Sequence, residues 1–255
     1  MSNTDGRPRT AQLQVVEQIK SYIQDRRLKA GDPLPTEPEL MSEIGASRSS
    51  VREAIRTLSA LDIVEVRHGH GTFVGSLSLS AMIESLAFRS LLGSGTDYRV
   101  LSDVVSVRQL MEQGFAQMIV DGLDSRQRTS LASLAREMCE LADQGKPYVE
   151  QDRAFHLLLL QPIGNELVVQ LTGAFWEVQA RVAKTLDVSE RSWQRTAQAH
   201  VEIVDAAAAH DLERLHAAIE EHYAPVKEQI RTLAALAADT DPLPDATDAT
   251  EATGA

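Results

Sequence analysis

The stretch "GASRSSVREAIRTL", Gly45 to Leu58, decides the reading of this chain. Ser47 is a natural N-cap, and Val51, Ile55 and Leu58 recur at helical spacing on one face. Arg48, Ser49 and Arg52 fall off that face, towards solvent. A chain of formal net charge −12 therefore carries two guanidiniums and three serines at a helix start. A helix N-terminus already favours anions through its unpaired amides and macrodipole. With Arg48 and Arg52 added, it becomes a unit able to enter a DNA groove. There arginine grips guanine bidentately, and Ser47, Ser49 and Ser50 reach phosphates or base edges. The plain alternative is a capped surface helix whose arginines pair with neighbours such as Glu53.

The flanking sequence decides between these readings. Upstream, residues 10–28 place Leu13, Val16, Ile19 and Ile23 at helical spacing. Gly31, Pro33 and Pro35 break that helix, and Thr36 with Glu39 forms a Thr-x-x-Glu capping box that opens a second one, ended by Gly45. Downstream, Ile63, Val64 and Val66 read as a strand, "HGHG" as a turn, and Thr72, Phe73 and Val74 as the returning strand. Three helices followed by a hairpin predict a winged helix-turn-helix over residues 8–75. Residues 76–80 form a Ser-rich linker. From 81 to 238 the chain reads as about seven helices in an antiparallel bundle, so the fold class is mostly α. Residues 239–255 are Asp/Thr/Ala-rich and are expected to be a disordered acidic tail.

Charge divides the chain in the same place. Through Gly75 there are ten basic and ten acidic residues, so the remaining 15 basic and 27 acidic residues carry the whole −12. An acidic bulk repels phosphate, which confines any nucleic-acid surface to the N-terminal part. No apolar run reaches membrane-spanning length, and "MSNTDGRPRT" lacks the apolar core of a signal peptide. The single cysteine, Cys139, allows no internal disulfide and suits a reducing cytosol, where it serves as a small buried apolar group. The expected location is cytoplasmic.

The segment Leu34 to Val74, with its "LP-x-E-x-EL" entry, "SR-x-x-VREA" helix and "G-x-GTFV" wing, resembles the DNA-binding domain of the GntR family of bacterial transcription regulators. The helical remainder resembles the FCD ligand-binding domain of the FadR subfamily. The resemblance implies DNA contacts from Ser47, Arg48, Ser49, Ser50, Arg52, His68 and Gly69. Two positions depart from the family pattern: Pro38 and His70 stand where members often carry cations, which weakens the non-specific phosphate attraction.

The bundle holds a second candidate site. Asp152 and His156 stand at i,i+4 on one helix face, with His200 and His222 in later helices. One carboxylate and three imidazoles inside a bundle can chelate a divalent ion such as Zn, Ni or Mn. Taken alone, a histidine on an apolar face is more often a hydrogen-bonded core residue. The resemblance favours the metal, because FCD domains commonly carry this Asp-x-x-x-His pair followed by two distant histidines. His210 and His216, near a helix break, read as surface residues. Arg108 and Glu112, also at i,i+4, read equally as an intrahelical ion pair or as a grip on an effector carboxylate. Asn165 reads as a helix N-cap.

These readings predict a homodimeric transcription regulator, more often a repressor in this family. It is expected to bind a short inverted repeat of double-stranded DNA and to respond to a small carboxylate effector, a sugar acid or an organic acid. Two rivals compete. In one, the four ligands belong to a metal-dependent enzyme. Catalytic zinc sites, however, usually use three ligands and a nearby Glu base, and Glu221 beside His222 is turned one helical step away. In the other, the metal is itself the effector.

Overall fold

The computed structural model describes residues 7–92, 98–183 and 190–240. Two compact units divide between Glu84 and Ser85. In the first, α1 (Arg7–Asp25), α2 (Glu37–Ile44) and α3 (Arg48–Ala60) precede a hairpin of β1 (Val64–Arg67) and β2 (Gly71–Val74). α4 (Ser80–Leu92) carries the chain across the division.

The capping box holds: the Thr36 N–H donates to the Glu39 carboxylate at 2.8 Å, which fixes where α2 starts. Ser47 caps α3, its Oγ accepting from the Ser50 N–H at 3.2 Å. Val51, Ala54, Ile55 and Leu58 of α3 are buried with Val15, Val16 and Ile19 of α1 and with Leu40, Val64 and Val74. The α1 face thus differs slightly from expectation. Leu13 is 59% exposed and Val15 takes its place in the core. α1 also ends at Asp25 rather than at 28, in a turn where Arg27 adopts a φ of 52°.

The hairpin pairs Val64 with Val74 and Arg67 with Gly71. One addition was hidden by its prolines: Pro33 bridges Phe73, and the Leu34 N–H donates to the Thr72 carbonyl at 2.8 Å. The connection between α1 and α2 therefore lies along the free edge of β2, where a residue lacking an N–H is tolerated.

The second unit contains α5 (Arg99–Gly114), α6 (Ala116–Gly122), α7 (Ser125–Asp143), α8 (Val149–Leu160), α9 (Glu166–Ala183), α10 (Glu190–Ala208) and α11 (Leu212–Thr240), with a 3₁₀ turn at Gln161–Ile163. The break between α5 and α6 at Phe115 is additional to those anticipated. Asn165 accepts from the Val168 N–H at 3.3 Å, as an N-cap does. The core is mostly aliphatic: Leu101, Val105, Ile119, Leu131, Met138, Leu159, Leu160, Ile203, Leu215 and Ile219, with Phe155 and Tyr223. Cys139 is half-buried against it, and burial raises its thiol pKa. Residues 241–255, most of the anticipated tail, lie outside the described residues. No helix among the described residues is long and apolar enough to cross a membrane.

Candidate nucleic-acid interface and candidate metal centre

The first site is the exposed edge of α3. Ser47 Oγ lies 3.0 Å from Ser49 Oγ and 2.9 Å from Ser50 Oγ, so the three hydroxyls cluster at the helix tip. Arg48 and Arg52 project with side chains 69% and 55% exposed. Both approach Glu37 of α2, Arg48 Nε at 3.8 Å and Arg52 Nε at 3.6 Å. Exposed pairs at this range are weak and screened by salt, so either guanidinium can leave for another anion. Arg56 instead pairs with Glu53.

At the wing, His68 and Gly69 are exposed at the turn. Gly69 has a φ of 78°, a conformation that side chains other than Asn or Asp rarely adopt. Arg67 is anchored behind the turn, 4.3 Å over the Phe73 ring and 2.8 Å from Glu65.

The second site is buried in the helical unit. Among the described residues, the buried polar side chains are Arg108, Glu112, His156, Thr172, His200 and His222. Thr172 is satisfied by the Val168 carbonyl at 2.9 Å. The other five converge. Asp152, His156, His200 and His222 each bring one ligand atom, and these atoms lie within 4.8 Å of one another. α8 supplies Asp152 and His156, α10 supplies His200 and α11 supplies His222. The imidazole centroids are 4.4 to 5.4 Å apart.

Satisfied core histidines would have both ring nitrogens bonded to the protein, and each of these keeps at least one that is not. All buried side-chain nitrogens and oxygens without a hydrogen-bond partner, among the described residues, sit in this one cluster: Arg108 Nε and Nη2, Glu112 Oε2, His156 Nδ1 and Nε2, His200 Nε2, and His222 Nδ1. Leaving so many polar atoms dry and unpaired is costly, and a cation among the nitrogens together with an anion at Arg108 would remove that cost. The donor set of three imidazoles and one carboxylate fits a divalent transition metal.

The surroundings orient the ligands. The His200 Nδ1 lies 2.9 Å from the Thr196 carbonyl, which can only accept, so Nδ1 carries the proton and Nε2 keeps its lone pair. That Nε2 stands 3.1 Å from Asp152 Oδ1. Asp152 Oδ2 accepts the Trp176 indole N–H at 2.7 Å. His156 Nδ1 stands 2.6 Å from Glu112 Oε1, a charge contact without hydrogen-bond alignment, while its Nε2 is 3.6 Å from Asp152. The Tyr223 hydroxyl donates to Glu112 at 2.9 Å.

Burial and the neighbouring charges shift these groups in different directions. Burial, reinforced by the neighbouring imidazoles, pushes His222 well below the usual imidazole range, and burial lowers His200 too. Both are neutral near pH 7, as ligands must be. Burial alone would lower His156, but the Glu112 and Asp152 carboxylates outweigh it and raise it to about 9. Burial works against ionisation of Asp152 as well, and the His156 and His200 rings nevertheless hold it well below the usual carboxylate range.

The pair at Arg108 and Glu112 departs from the simple intrahelical bond. Glu112 turns to His156 and Tyr223, while Arg108 donates Nη1 to Gln179 and lies 5.6 Å from the Tyr223 ring centroid. Sequence spacing pairs these two with each other; only the packing of α5 against α8, α9 and α11 sends them to separate partners. Trp176 and Gln179, both on α9, are site residues that spacing gave no sign of. Glu221, beside His222, faces outward to Arg195, and His210 and His216 are exposed.

A winged reader and a helical unit with a buried polar centre together define a class: a regulator that couples nucleic acid to a ligand. The comparisons with known proteins make it specific. The model for bacterial regulatory proteins of the gntR family matches residues 11–74, and the FCD domain model matches residues 103–225. NedR of Micromonospora viridifaciens is 53% identical over 103 residues, which cover 40% of this chain and 75% of NedR. The galactonate operon transcriptional repressor of Escherichia coli (strain K12) is 28% identical over 177 residues, covering 69% of this chain and 77% of the repressor. Among solved structures, Streptococcus agalactiae GntR matches with a TM-score of 0.65 at 25% identity, over 85% of this chain and 99% of that one. The chain belongs to the GntR family, with an FCD domain as its second part. It is a DNA-binding transcription regulator and not an enzyme.

Proposed function

We propose that the chain is a homodimeric repressor that binds a short inverted repeat and is released by a small carboxylate effector. Each copy inserts α3 into a major groove, where Arg48 and Arg52 leave Glu37 for base edges or phosphates and Ser47, Ser49 and Ser50 contact the backbone. His68 and Gly69 of the wing follow the adjacent minor groove. The functional division runs 8–75 for the reader, 76–80 for the linker and 81–238 for the sensor. Repression is the activity that the name of the galactonate relative carries.

Asp152, His156, His200 and His222 would hold one divalent ion, which supplies a Lewis-acid anchor for a carboxylate oxygen when bound. Arg108 supplies the opposite charge in a dry site, where a guanidinium with two unpaired nitrogens is strongly attractive to an anion. Effector and operator are then coupled as two ligands that favour different states of one dimer. The observation that carries this reading is the convergence of every orphaned buried polar atom, among the described residues, on one cluster.

The test is a mobility-shift titration on DNA upstream of the chain's own gene, at two salt concentrations, with and without chelator. A discrete, salt-sensitive complex is expected. No retention of any inverted repeat there at low salt sinks the regulator mechanism; retention that disappears on chelation alone makes the metal the signal.

A further inference from the structure

The wing ends in two histidines. His68 and His70 flank Gly69 in the turn between β1 and β2, and all three residues are exposed. The His70 N–H donates to the Arg67 carbonyl at 2.9 Å, which closes the turn. The turn's backbone demands fall on the glycines: Gly69 and Gly71 have φ of 78° and 107°. A Cβ at either glycine would meet no heavy atom within 4 Å beyond the adjoining residues, so the tip is bare. Neither core packing nor turn geometry accounts for the two imidazoles.

The fixed charges around them are already paired. On the hairpin, Arg67 lies 2.8 Å from Glu65 and 4.3 Å over the Phe73 ring, and β2 carries no charged residue. Along the edge of β2, Asp32 accepts the Lys29 N–H at 2.7 Å, near the strand's far end from the turn. Where that edge leads into α2, Glu37 faces Arg48 and Arg52, and Glu39 accepts from Thr36. Behind β1, Glu53 pairs with Arg56, and Asp62 takes Ser76 and Ser78. α1 contributes Glu17, paired with Lys20, and ends at Asp25, ahead of the segment that meets the base of the hairpin. Among the described residues, no carboxylate lies within ion-pair range of either wing imidazole. A protonated ring at the tip therefore has to find its anion outside the protein.

We propose that the wing tip is a proton-linked DNA contact: His68 and His70 take up protons as the tip enters the groove, so the chain holds DNA more tightly in mild acid than in mild alkali. The proposal rests on the reader assignment above and adds a regulation to it. Imidazole is the side chain whose charge changes between about pH 5 and 8. A narrow minor groove concentrates negative potential and draws in Arg, Lys and His. Phosphates favour the charged ring, and by linkage the charged ring favours the phosphates. Affinity is thus highest at the acid end of that range and falls as pH rises through it. An arginine at the tip would give a constant grip; imidazoles make the grip conditional.

Fluorescence anisotropy of the full-length protein tests this, on a duplex carrying the inverted repeat and on a random duplex of the same length. It compares the native chain with the double variants His68→Gln/His70→Gln and His68→Arg/His70→Arg, at about pH 6 and about pH 8 and at several salt concentrations. The native chain should bind both duplexes about tenfold more tightly in acid, the equivalent of one pH unit of linkage. Its salt slope should steepen there by about one to two, roughly one per phosphate neutralised. The glutamine variant should match the native chain in alkali and stay at that affinity in acid. The arginine variant should hold the native acid affinity at both pH values. A native affinity that does not move with pH overturns the proposal. So does a glutamine variant that keeps the rise, because the proton then goes to another group. An arginine variant no tighter than the native chain in alkali overturns it as well, since the tip then lies away from the phosphates; this arm decides if the glutamine variant does not fold. Failure to bind either duplex at any pH removes the reader assignment itself, and the proposal with it.

Discussion

Glu112 lies beneath His156, its Oε1 2.6 Å from the ring Nδ1, while the other ring nitrogen faces Asp152. A carboxylate behind a ligating imidazole fixes the ring and raises its basicity. We propose that Glu112 would support His156 in this way if the cluster holds a metal ion. Replacing it with the near-isosteric Gln should weaken zinc binding about 10–100-fold, as losses of such supports do. Competition against a chromogenic chelator measures this, and affinity within a factor of two of the parent would remove Glu112 from that role.

The same relationship marks where sequence reading stops. Asp152 and His156 were legible as a pair because their i,i+4 spacing lies within one helix, whereas His200 and His222 were joined to them only by the resemblance to FCD domains. The exposed placement of Ser47, Arg48 and Arg52 was legible from capping and period, and their reading as DNA contacts needed the flanking helix and hairpin. Glu112 was visible as a residue but was paired with the wrong partner, since helical spacing reports only neighbours on one helix and its contacts come from α8 and α11. Trp176 carried no local signal, because its link to Asp152 crosses from α9 to α8. Pro33 hid its place beside β2 because prolines read as breaks, and the edge pairing depends on a strand that follows forty residues later.

Glu37 holds both Arg48 and Arg52 within 4 Å, and that sets a second expectation. Any DNA must displace this carboxylate, and a correct base sequence does so better than scattered phosphates. Glu37→Gln should strengthen binding to random duplex several-fold, on the scale of about 1 kcal/mol for an exposed pair. It should therefore narrow the ratio of operator to random affinity. Fluorescence anisotropy on both duplexes checks it; an unchanged ratio would show that Glu37 only decorates α2.

The arginines themselves should be separable by the same measurement. Arg48→Ala or Arg52→Ala should each cost about 1–3 kcal/mol on the operator if the side chain reads a base. A variant that instead loses affinity equally on every sequence, with a shallower salt slope, marks a phosphate contact. No loss for either variant would move the interface off α3.

Where the wing ends, Asp62 clasps the start of the following segment. Its carboxylate accepts from the Ser76 hydroxyl and from the Ser78 N–H at 2.9 Å, and its backbone carbonyl takes the Leu77 N–H at 3.0 Å. These bonds, led by Ser76, hold the Asp62 pKa below its ordinary 3.8. A depressed pKa contributes stability that is complete above that ordinary value and lost as pH falls through the lowered one. Asp62→Asn keeps the residue's φ of 55°, which Asn tolerates, and removes the charge. It should cost about 1 kcal/mol at pH 7, the low end for an exposed charged acceptor. The gap should narrow once pH falls below the ordinary value, and denaturant midpoints at pH 7 and pH 3 measure it. A gap as wide at pH 3 as at pH 7 rejects the charged clasp.

The clasp also dictates Gly75. A Cβ at this position would stand 2.2 Å from the Asp62 carbonyl oxygen and 2.7 Å from its carbon, both backbone atoms that cannot swing aside. The Gly75 N–H meanwhile donates to the Ile63 carbonyl at 2.9 Å, so the chain cannot move away without losing that bond. Gly75→Ala should therefore destabilise the winged unit by about 1–3 kcal/mol, the range for overpacking against an unyielding neighbour. Zinc affinity should stay at the parent value, because the candidate ligands belong to α8, α10 and α11. Thermal denaturation followed alongside chelator competition distinguishes the two. A stable Gly75→Ala variant would mean that the turn after β2 is looser than its contacts require, and loss of zinc in that variant would mean that damage at the wing reaches the bundle.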